Sequence, residues 1–374
     1  MSGLILDIAT YSTYNGGLPP RSLRFQTYQV YDIFNEYFKS KLSEAFTSLL
    51  HEIVPRTRGA VNQRHASNQT PNTESDLLEL DEFLLSERAT LLTARSGRID
   101  LAGTTASDED IAPRVEAAAL AIEDLIEATA NSNLHATLRG FAQRYRTELG
   151  RLRSGEPGLS WYITAQQVEL YCSHYIAHSA NDPAEYPALE PGIGTLIDSV
   201  ILATAMLAGI LPEIARSQEH IRQYSGEQVD VRTALRELVD PSLSALSHTE
   251  GVLTFRAAAV TAEAAALNIG STPDDAPEAV RVHATKVGLL RGFLGAMARL
   301  AVAGTHQMAH LQENIRTKGA YDISKEVVKW LITGGYEKTY RFAADSASTL
   351  FKLATTWPAM FNFVRPLLRL LGLQ

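Results

Sequence analysis

Cysteine is nearly absent from this chain, since Cys172 is the only one among its 374 residues. An internal disulfide is therefore excluded, and a single thiol fits a reducing compartment. The opening residues, MSGLILDIATYSTYNGG, have no basic residue before their short apolar run, which is not the pattern of a secretion signal. We therefore expect a cytoplasmic protein, with a peripheral position at the membrane as the alternative.

Positive charge is in deficit, because 34 Lys and Arg stand against 42 Asp and Glu and give a net charge of −8. Such a balance repels phosphates, so we expect no general nucleic-acid binding. Acidic residues prevail between positions 71 and 130, and basic residues prevail between 311 and 374. These regions could attract each other, a second copy or an anionic surface, although two solvated helix faces would look the same.

The usual catalytic signatures are missing as well. The sequence contains no Gly-x-Ser-x-Gly nucleophile elbow, no Walker loop and no His-Glu-x-x-His metalloprotease pattern. We therefore expect a binding or structural component rather than an enzyme, and we expect no cofactor.

Helical periodicity is abundant. Between 111 and 131, for example, the apolar stripe Val115, Ala118, Ile122 and Leu125 recurs at the spacing of one helix face. The same reasoning predicts helices over 28–54, 74–93, 134–152, 277–317, 336–355 and 358–371, and polar loops over about 55–72 and 96–110. No series of strands stands out. We predict an all-α, bundle-like assembly of amphipathic and Ala/Gly-rich apolar helices.

Three prolines and two glycines between 181 and 194 mark the best candidate for a domain boundary. We therefore divide the chain into an N-terminal helical region, 1–185, and a more apolar C-terminal helical region, 186–374. Thr164 with Gln167 has the spacing of a capping box and predicts a helix start. Asp240 and Pro241 predict the start of an Ala-rich helix that ends near Gly270.

Two apolar segments allow more than one interpretation. The segment 193–211 is near the minimum length for crossing a membrane, but Asp198 lies inside it and prolines bracket it, as in a buried core helix. The segment 358–374 is a basic amphipathic helix, which could close the core, dock on a partner or lie on a membrane.

The glycines at 288, 292 and 295 have the spacing that allows close helix approach.

Two histidine pairs are the candidate metal ligands. His174 with His178, and His306 with His310, are each four residues apart, so each pair lies on one helix face, and Glu313 extends the second pair by one turn. On a helical wheel the second pair falls on a polar face and the first borders an apolar stripe. Ordinary surface or partly buried histidines would give the same pattern.

A helix with His306 or His310, followed by Thr333-Gly334-Gly335, resembles the proximal histidine and glycine loop of haem-dependent tryptophan-dioxygenase-type enzymes. The resemblance implies a haem ligated by one of these histidines. From the residues alone, the two glycines are equally well explained as the end of a helix over 322–332.

The resulting expectation is a non-enzymatic helical protein that acts through protein–protein association. It would be a scaffold, a regulator or a partner-binding subunit, for instance of a bacterial conflict or stress system, and its partner would be another protein or a second copy. One alternative is a haem- or metal-dependent enzyme that uses the histidine pairs. The other is a membrane-active protein that inserts 193–211 and 358–374.

Overall fold

The computed structural model describes residues 73–374 except 87–89, 96–97, 104–105, 133, 183, 225–229, 271, 316–334 and 374. Side chains are also left undescribed at 73, 74, 86, 95, 108, 223, 224, 304–315 and 335–337. The predicted helix over 28–54 and the loop over 55–72 lie outside the described residues.

Helices dominate the described chain, as predicted, and the only sheet within it is one antiparallel hairpin. The elements, in chain order, are α1 Thr73–Ser86, β1 Leu92–Arg95, β2 Arg98–Leu101, α2 Asp108–Thr129, α3 Ala136–Arg153, α4 Leu159–Asn181, α5 Pro191–Ala208, α6 Pro212–Tyr224, α7 Val231–Ala234, a π-helix Leu235–Val239, α8 Asp240–His248, α9 Phe255–Ala266, α10 Pro277–Ile315, α11 Gly335–Thr356, α12 Pro358–Phe361 and α13 Val364–Leu370. The all-α fold class is confirmed.

Helices α2, α3, α4 and α5 form a four-helix group in which each helix packs against two neighbours. The predicted stripe of α2 is the buried face, and Thr129, which continues it, is also buried. Tyr145 of α3 reaches α5, where its hydroxyl lies 3.0 Å from that of Thr204. The division of the chain at residue 185 stays a prediction.

The long helix α10 is the centre of the remaining elements, and residues 289–298 are buried all the way round. Its glycines allow the close approach that their spacing predicted. A Cβ on Gly288 would overlap the Ser217 hydroxyl of α6, and one on Gly292 would lie 3.1 Å from the backbone nitrogen of Leu92. The helix therefore accepts neighbours that larger residues would push away.

The β-hairpin corrects two predictions. The helix predicted over 74–93 ends at Ser86, and the loop predicted over 96–110 contains β2, which pairs antiparallel with β1. A helical pattern with leucines every third or fourth position does not mark where the chain turns into a strand. Here the strand face of Leu92 and Leu101 is buried against α10 and the rest of the core, so tertiary contacts decided the boundary.

The Ala-rich helix predicted from Asp240 to Gly270 is two helices, α8 and α9, with a turn between them. Gly251 has φ of +80°, a conformation in which other residues are strained. The chain then runs beside β2, where Ile99 donates a backbone hydrogen bond to Val252 and accepts one from Thr254. Pairing with the hairpin therefore interrupts the helix.

Asp240 does not cap a helix start as predicted, because the π-helix leads straight into it and its backbone is helical, with φ −60° and ψ −45°. Pro241 lacks an N–H and its ring crowds the carbonyl four residues earlier in an α-helix. A wider π turn just before it relieves that conflict.

Helix α4 likewise begins before the predicted capping box. It starts at Leu159, directly after the turn that contains Gly155 at φ +81°. Thr164 is buried within the helix and donates a hydrogen bond to the Ser160 carbonyl. The capping-box spacing also occurs inside helices, where it carries no stop or start signal.

The C-terminal segment closes the core, the first of the interpretations considered for 358–374. Met360, Phe361 and Val364 are fully buried. Arg291 of α10 donates to the Met360 carbonyl, and Arg369 donates to Asp76 of α1 at 2.7 Å. Its apolar side chains therefore face the protein itself.

Candidate interaction surface on helix α5

Helix α5 has two faces of different character. Pro191 opens it, where a missing N–H has no cost. Its buried face packs against α2 and α4 through residues spaced three or four apart, namely Ile193, Ile197, Val200, Thr204 and Leu207. This face is part of the core, whereas the sequence predicted a buried core helix over 193–211 and only 33% of α5 is buried.

The opposite face of α5 is exposed along its whole length. Six exposed residues follow one another at intervals of three, four, three, four and three, and they are Gly192, Thr195, Ser199, Leu202, Met206 and Gly209. This is the spacing of the contact positions in a coiled coil. We call these six residues the α5 seam.

Two large apolar side chains stand out of the seam: Leu202 is 64% exposed and Met206 is 55% exposed. The other four members are small. The hydroxyls of Thr195 and Ser199 donate hydrogen bonds within the helix, to the Pro191 carbonyl at 3.0 Å and to the Thr195 carbonyl at 2.9 Å. The seam thus has no hydroxyl that needs a hydrogen-bond partner from another molecule.

Among the described helices, α5 is also the one that is apolar and long enough, by length and composition, to cross a membrane. Its mean hydropathy is 1.6, and 33% of it is buried. Asp198 lies on the exposed side and carries a charge next to the seam. Helix α5 thus differs from the core helix α10, because it is strongly apolar but only one-third buried.

The first histidine pair lies on α4, and each member has a different neighbour. His174 Nε2 is buried against Gly270, whose φ is +55°, and has no hydrogen-bond partner among the described residues. His178 stacks on Tyr186 with ring centroids 5.1 Å apart. Within the described part of the chain, no three His, Cys, Asp or Glu side chains are grouped closely enough to hold a metal ion.

The second histidine pair lies on α10. The backbone of α10 runs through His306, His310 and Glu313, but their side chains lie outside the described residues, as do Thr333 and Gly334, and Gly335 is the first residue of α11. The metal and haem interpretations therefore stay predictions.

Cys172 lies on α4, as does the first histidine pair, and it is a poor nucleophile. Burial raises the pKa of its thiol to about 11, and the nearby carboxylates of Asp198 and Glu169 add to the effect. The thiol is protonated at neutral pH, and thiolate is the reactive form.

A buried polar cluster between α4 and α10 escaped the sequence analysis. Glu169 forms a bidentate ion pair with Arg281, and Gln166 donates to the Arg281 carbonyl at 3.0 Å and to the Thr285 hydroxyl at 2.8 Å. Burial raises the pKa of Glu169, and the hydrogen bonds from Arg281 oppose that shift. The ion pair and the two hydrogen bonds from the Gln166 amide nitrogen all cross between the two helices, which fits a cluster that fixes their register, while Gln166 Oε1 has no hydrogen-bond partner among the described residues.

Comparison with known proteins adds no identification, because no family model, no curated protein and no solved structure matches this chain.

Proposed function

We propose that this protein is a scaffold or regulatory component that acts by association, and that it pairs with a second copy through the α5 seam. The observation that carries the proposal is the order of large and small residues along the seam. A surface of this kind can be complementary to itself.

An antiparallel pair of α5 helices, centred between residues 200 and 201, matches every large seam residue with a small one. Leu202 then faces Ser199 of the second copy, Met206 faces Thr195, and Gly209 faces Gly192. Each side chain fills the space that its small counterpart leaves, as knobs fill holes. A parallel pair would instead place Leu202 on Leu202 and Met206 on Met206, so that large residues meet large ones.

Charge favours the same arrangement. In a parallel pair the two Asp198 carboxylates would lie level with each other. In the antiparallel pair each lies level with residue 203 of the other helix, about 7.5 Å further along the axis. Like-charge repulsion is therefore weaker in the antiparallel pair.

The strength of the contact follows from its size. The 18 residues of α5 span about 27 Å, and a two-helix contact of that length buries less than the roughly 1,600 Å² of a standard interface. We expect a dimer with a dissociation constant in the micromolar range. Such a dimer forms and dissociates readily, as suits a regulated assembly.

Sedimentation velocity over a wide concentration range tests the proposal. The wild-type chain should shift from monomer to dimer, and Leu202→Lys should remain monomeric because it places a charge in the seam. Leu120→Lys is the matched control, since Leu120 is 65% exposed on α2 but lies outside the seam. Equal effects of the two variants, or a monomer at all concentrations, would overturn the proposal.

Disulfide trapping tests the antiparallel orientation, in a Cys172→Ser background. Ser199→Cys protein mixed with Leu202→Cys protein should give a crosslink between the two variants, and each variant alone should give much less. Self-crosslinking of each variant alone would indicate a parallel pair.

Flotation with phosphatidylcholine–phosphatidylglycerol vesicles tests the membrane alternative. Protein that binds the vesicles through α5, and floats with them, would contradict a seam that pairs in solution.

A further inference from the structure

A second feature, independent of the α5 seam, is a cavity of about 420 Å³ between the π-helix, the segment after α9 and helix α10. Its apolar lining includes Leu235, Leu267, Ile269 and Val282. Cavities that hold small organic molecules have this size and this mixture of apolar wall and few polar groups.

Lys286 of α10 lines the cavity although it is only 5% exposed. Its ammonium lies 2.8 Å from Asp240 Oδ1 and 3.3 Å from the Ala265 carbonyl. An ammonium group has three N–H donors, so these two contacts leave one donor to spare. A lysine is almost never buried to this degree unless its charge is paired, and here Asp240 pairs with it.

His283 lies one helical turn before Lys286 and lines the same cavity. It is 3% exposed, and its Nε2 has no hydrogen-bond partner among the described residues. Burial lowers the pKa of His283 to about 4, so the ring is neutral at physiological pH. An unpartnered buried ring nitrogen next to a cavity is available for a hydrogen bond to a ligand in that cavity.

The π-helix shapes this site. Wide turns of this kind are rare and occur frequently at functional sites. Here the turn ends at Asp240 and brings its carboxylate to Lys286, while Leu235 and Arg236 of the same turn line the cavity.

The charged lining is mainly cationic, in a chain whose net charge is −8. Arg232, Arg236 and Lys286 line the cavity together with a single carboxylate, that of Asp240. Each cation has a carboxylate neighbour: Asp274 lies 2.8 Å from Arg232, Asp240 lies 2.8 Å from Lys286, and Glu237 lies 3.6 Å from Arg236. The Arg236 pair is the longest, and its side chain is 74% exposed, so Arg236 is the cation that turns to a ligand most readily. Lys286 contributes its remaining N–H donor.

We infer that this cavity binds a small organic anion. Its carboxylate or phosphate would contact Lys286 and Arg236, its apolar body would pack on Leu235 and Val282, and a polar group would meet His283 Nε2. The inference does not depend on self-association, and its test is separate.

Isothermal titration calorimetry and thermal denaturation at constant ionic strength provide the test. The probes are hexanoate, phenyl phosphate and inorganic phosphate, and the neutral isostere hexanamide is the control. The two organic anions should bind and raise Tm, and hexanamide should bind about tenfold more weakly or less, because it lacks the charge-assisted hydrogen bond. Tighter binding of phenyl phosphate than of hexanoate would identify a phosphate ligand, and the reverse order a carboxylate. Inorganic phosphate alone should bind more weakly than either.

Variants locate the binding. Arg236→Glu should lower the affinity for the anion about tenfold or more. The variant should still fold, because the Arg236 side chain is exposed. Arg146→Glu is the matched control, because Arg146 is an exposed arginine of α3 that pairs with Glu123 and does not line the cavity. The double variant Lys286→Met with Asp240→Asn removes both charges without leaving one unpaired, and it should abolish binding.

¹⁵N-histidine NMR tests the contact with His283. The ring signals of His283 are those that disappear in His283→Gln, and in wild type the Nε2 chemical shift should change when the anion binds. If neither organic anion binds, or if binding is the same in Arg236→Glu, in the double variant and in wild type, the inference is wrong.

Discussion

Glu213 should make this protein less stable as the pH rises through neutrality. The residue lies in the first turn of α6 and is only 5% exposed. A helix N-terminus normally favours a carboxylate, but here burial dominates. Burial raises the pKa of Glu213 from 4.5 to about 7, and a hydrogen bond from its own backbone N–H offsets only part of the shift. Its Oε1 has no hydrogen-bond partner among the described residues.

The size and sign of the effect follow from linkage between protonation and folding. The folded chain holds the Glu213 proton more tightly than the unfolded chain, so the stabilising contribution is complete below about pH 4.5 and falls as the pH rises towards 7. One pKa unit corresponds to about 1.4 kcal/mol, so the full shift costs about 3 kcal/mol above neutrality. Between about pH 5 and pH 8 the loss is about 2.5 kcal/mol.

Glu213→Gln removes this titration and keeps nearly the same shape. Urea denaturation of wild type and variant at several values between about pH 5 and pH 8 isolates Glu213, because all other titrating groups cancel in the difference. The variant should be within about 1 kcal/mol of wild type at the acid end and more stable by about 3 kcal/mol at the alkaline end.

Glu219→Gln is the matched control on the same helix, because the Glu219 side chain is 54% exposed and lies 3.5 Å from Arg216. It should change stability little at any pH. A stability difference for Glu213→Gln that does not vary with pH would refute the burial argument, as would a variant less stable than wild type at about pH 8.

Three further substitutions test the packing. Gly288→Ala should destabilise the fold by about 1–3 kcal/mol in urea denaturation, because its Cβ would overlap the Ser217 hydroxyl, and adding Ser217→Ala should recover part of that loss. Thr254→Val should cost about 1–2 kcal/mol, because this hydroxyl caps α9 and donates to Asp100 at 2.6 Å; an unchanged midpoint would show that the cap is dispensable. Arg291→Met should cost about 2–3 kcal/mol and expose the C-terminal segment to proteolysis, because the guanidinium binds a buried backbone carbonyl of α12.

Most helices could be predicted from periodicity, because a helix that buries one face repeats its apolar residues at a fixed interval. The stripe of α2 and the bounds of α10, predicted over 277–317 and found at Pro277–Ile315, show how well this works. The hairpin was missed because β1 and β2 have four residues each, too few for an alternating pattern to stand out.

The candidate surfaces show a different limit. The composition of 193–211 revealed an apolar helix, but not that one face of it would have no packing partner among the described residues. Likewise, spacing links His283 with Lys286, which are one helical turn apart on α10, but it does not link either residue with Asp240, whose carboxylate reaches Lys286 only in the tertiary structure.

The sequence by itself determined the fold class, most helix positions and the close approach at the glycines of α10, because these depend on local periodicity and side-chain size. Only the tertiary structure decided which face of α5 stays exposed and which ionisable groups are buried together. Burial and pairing depend on residues far apart in the chain, and no local pattern encodes them.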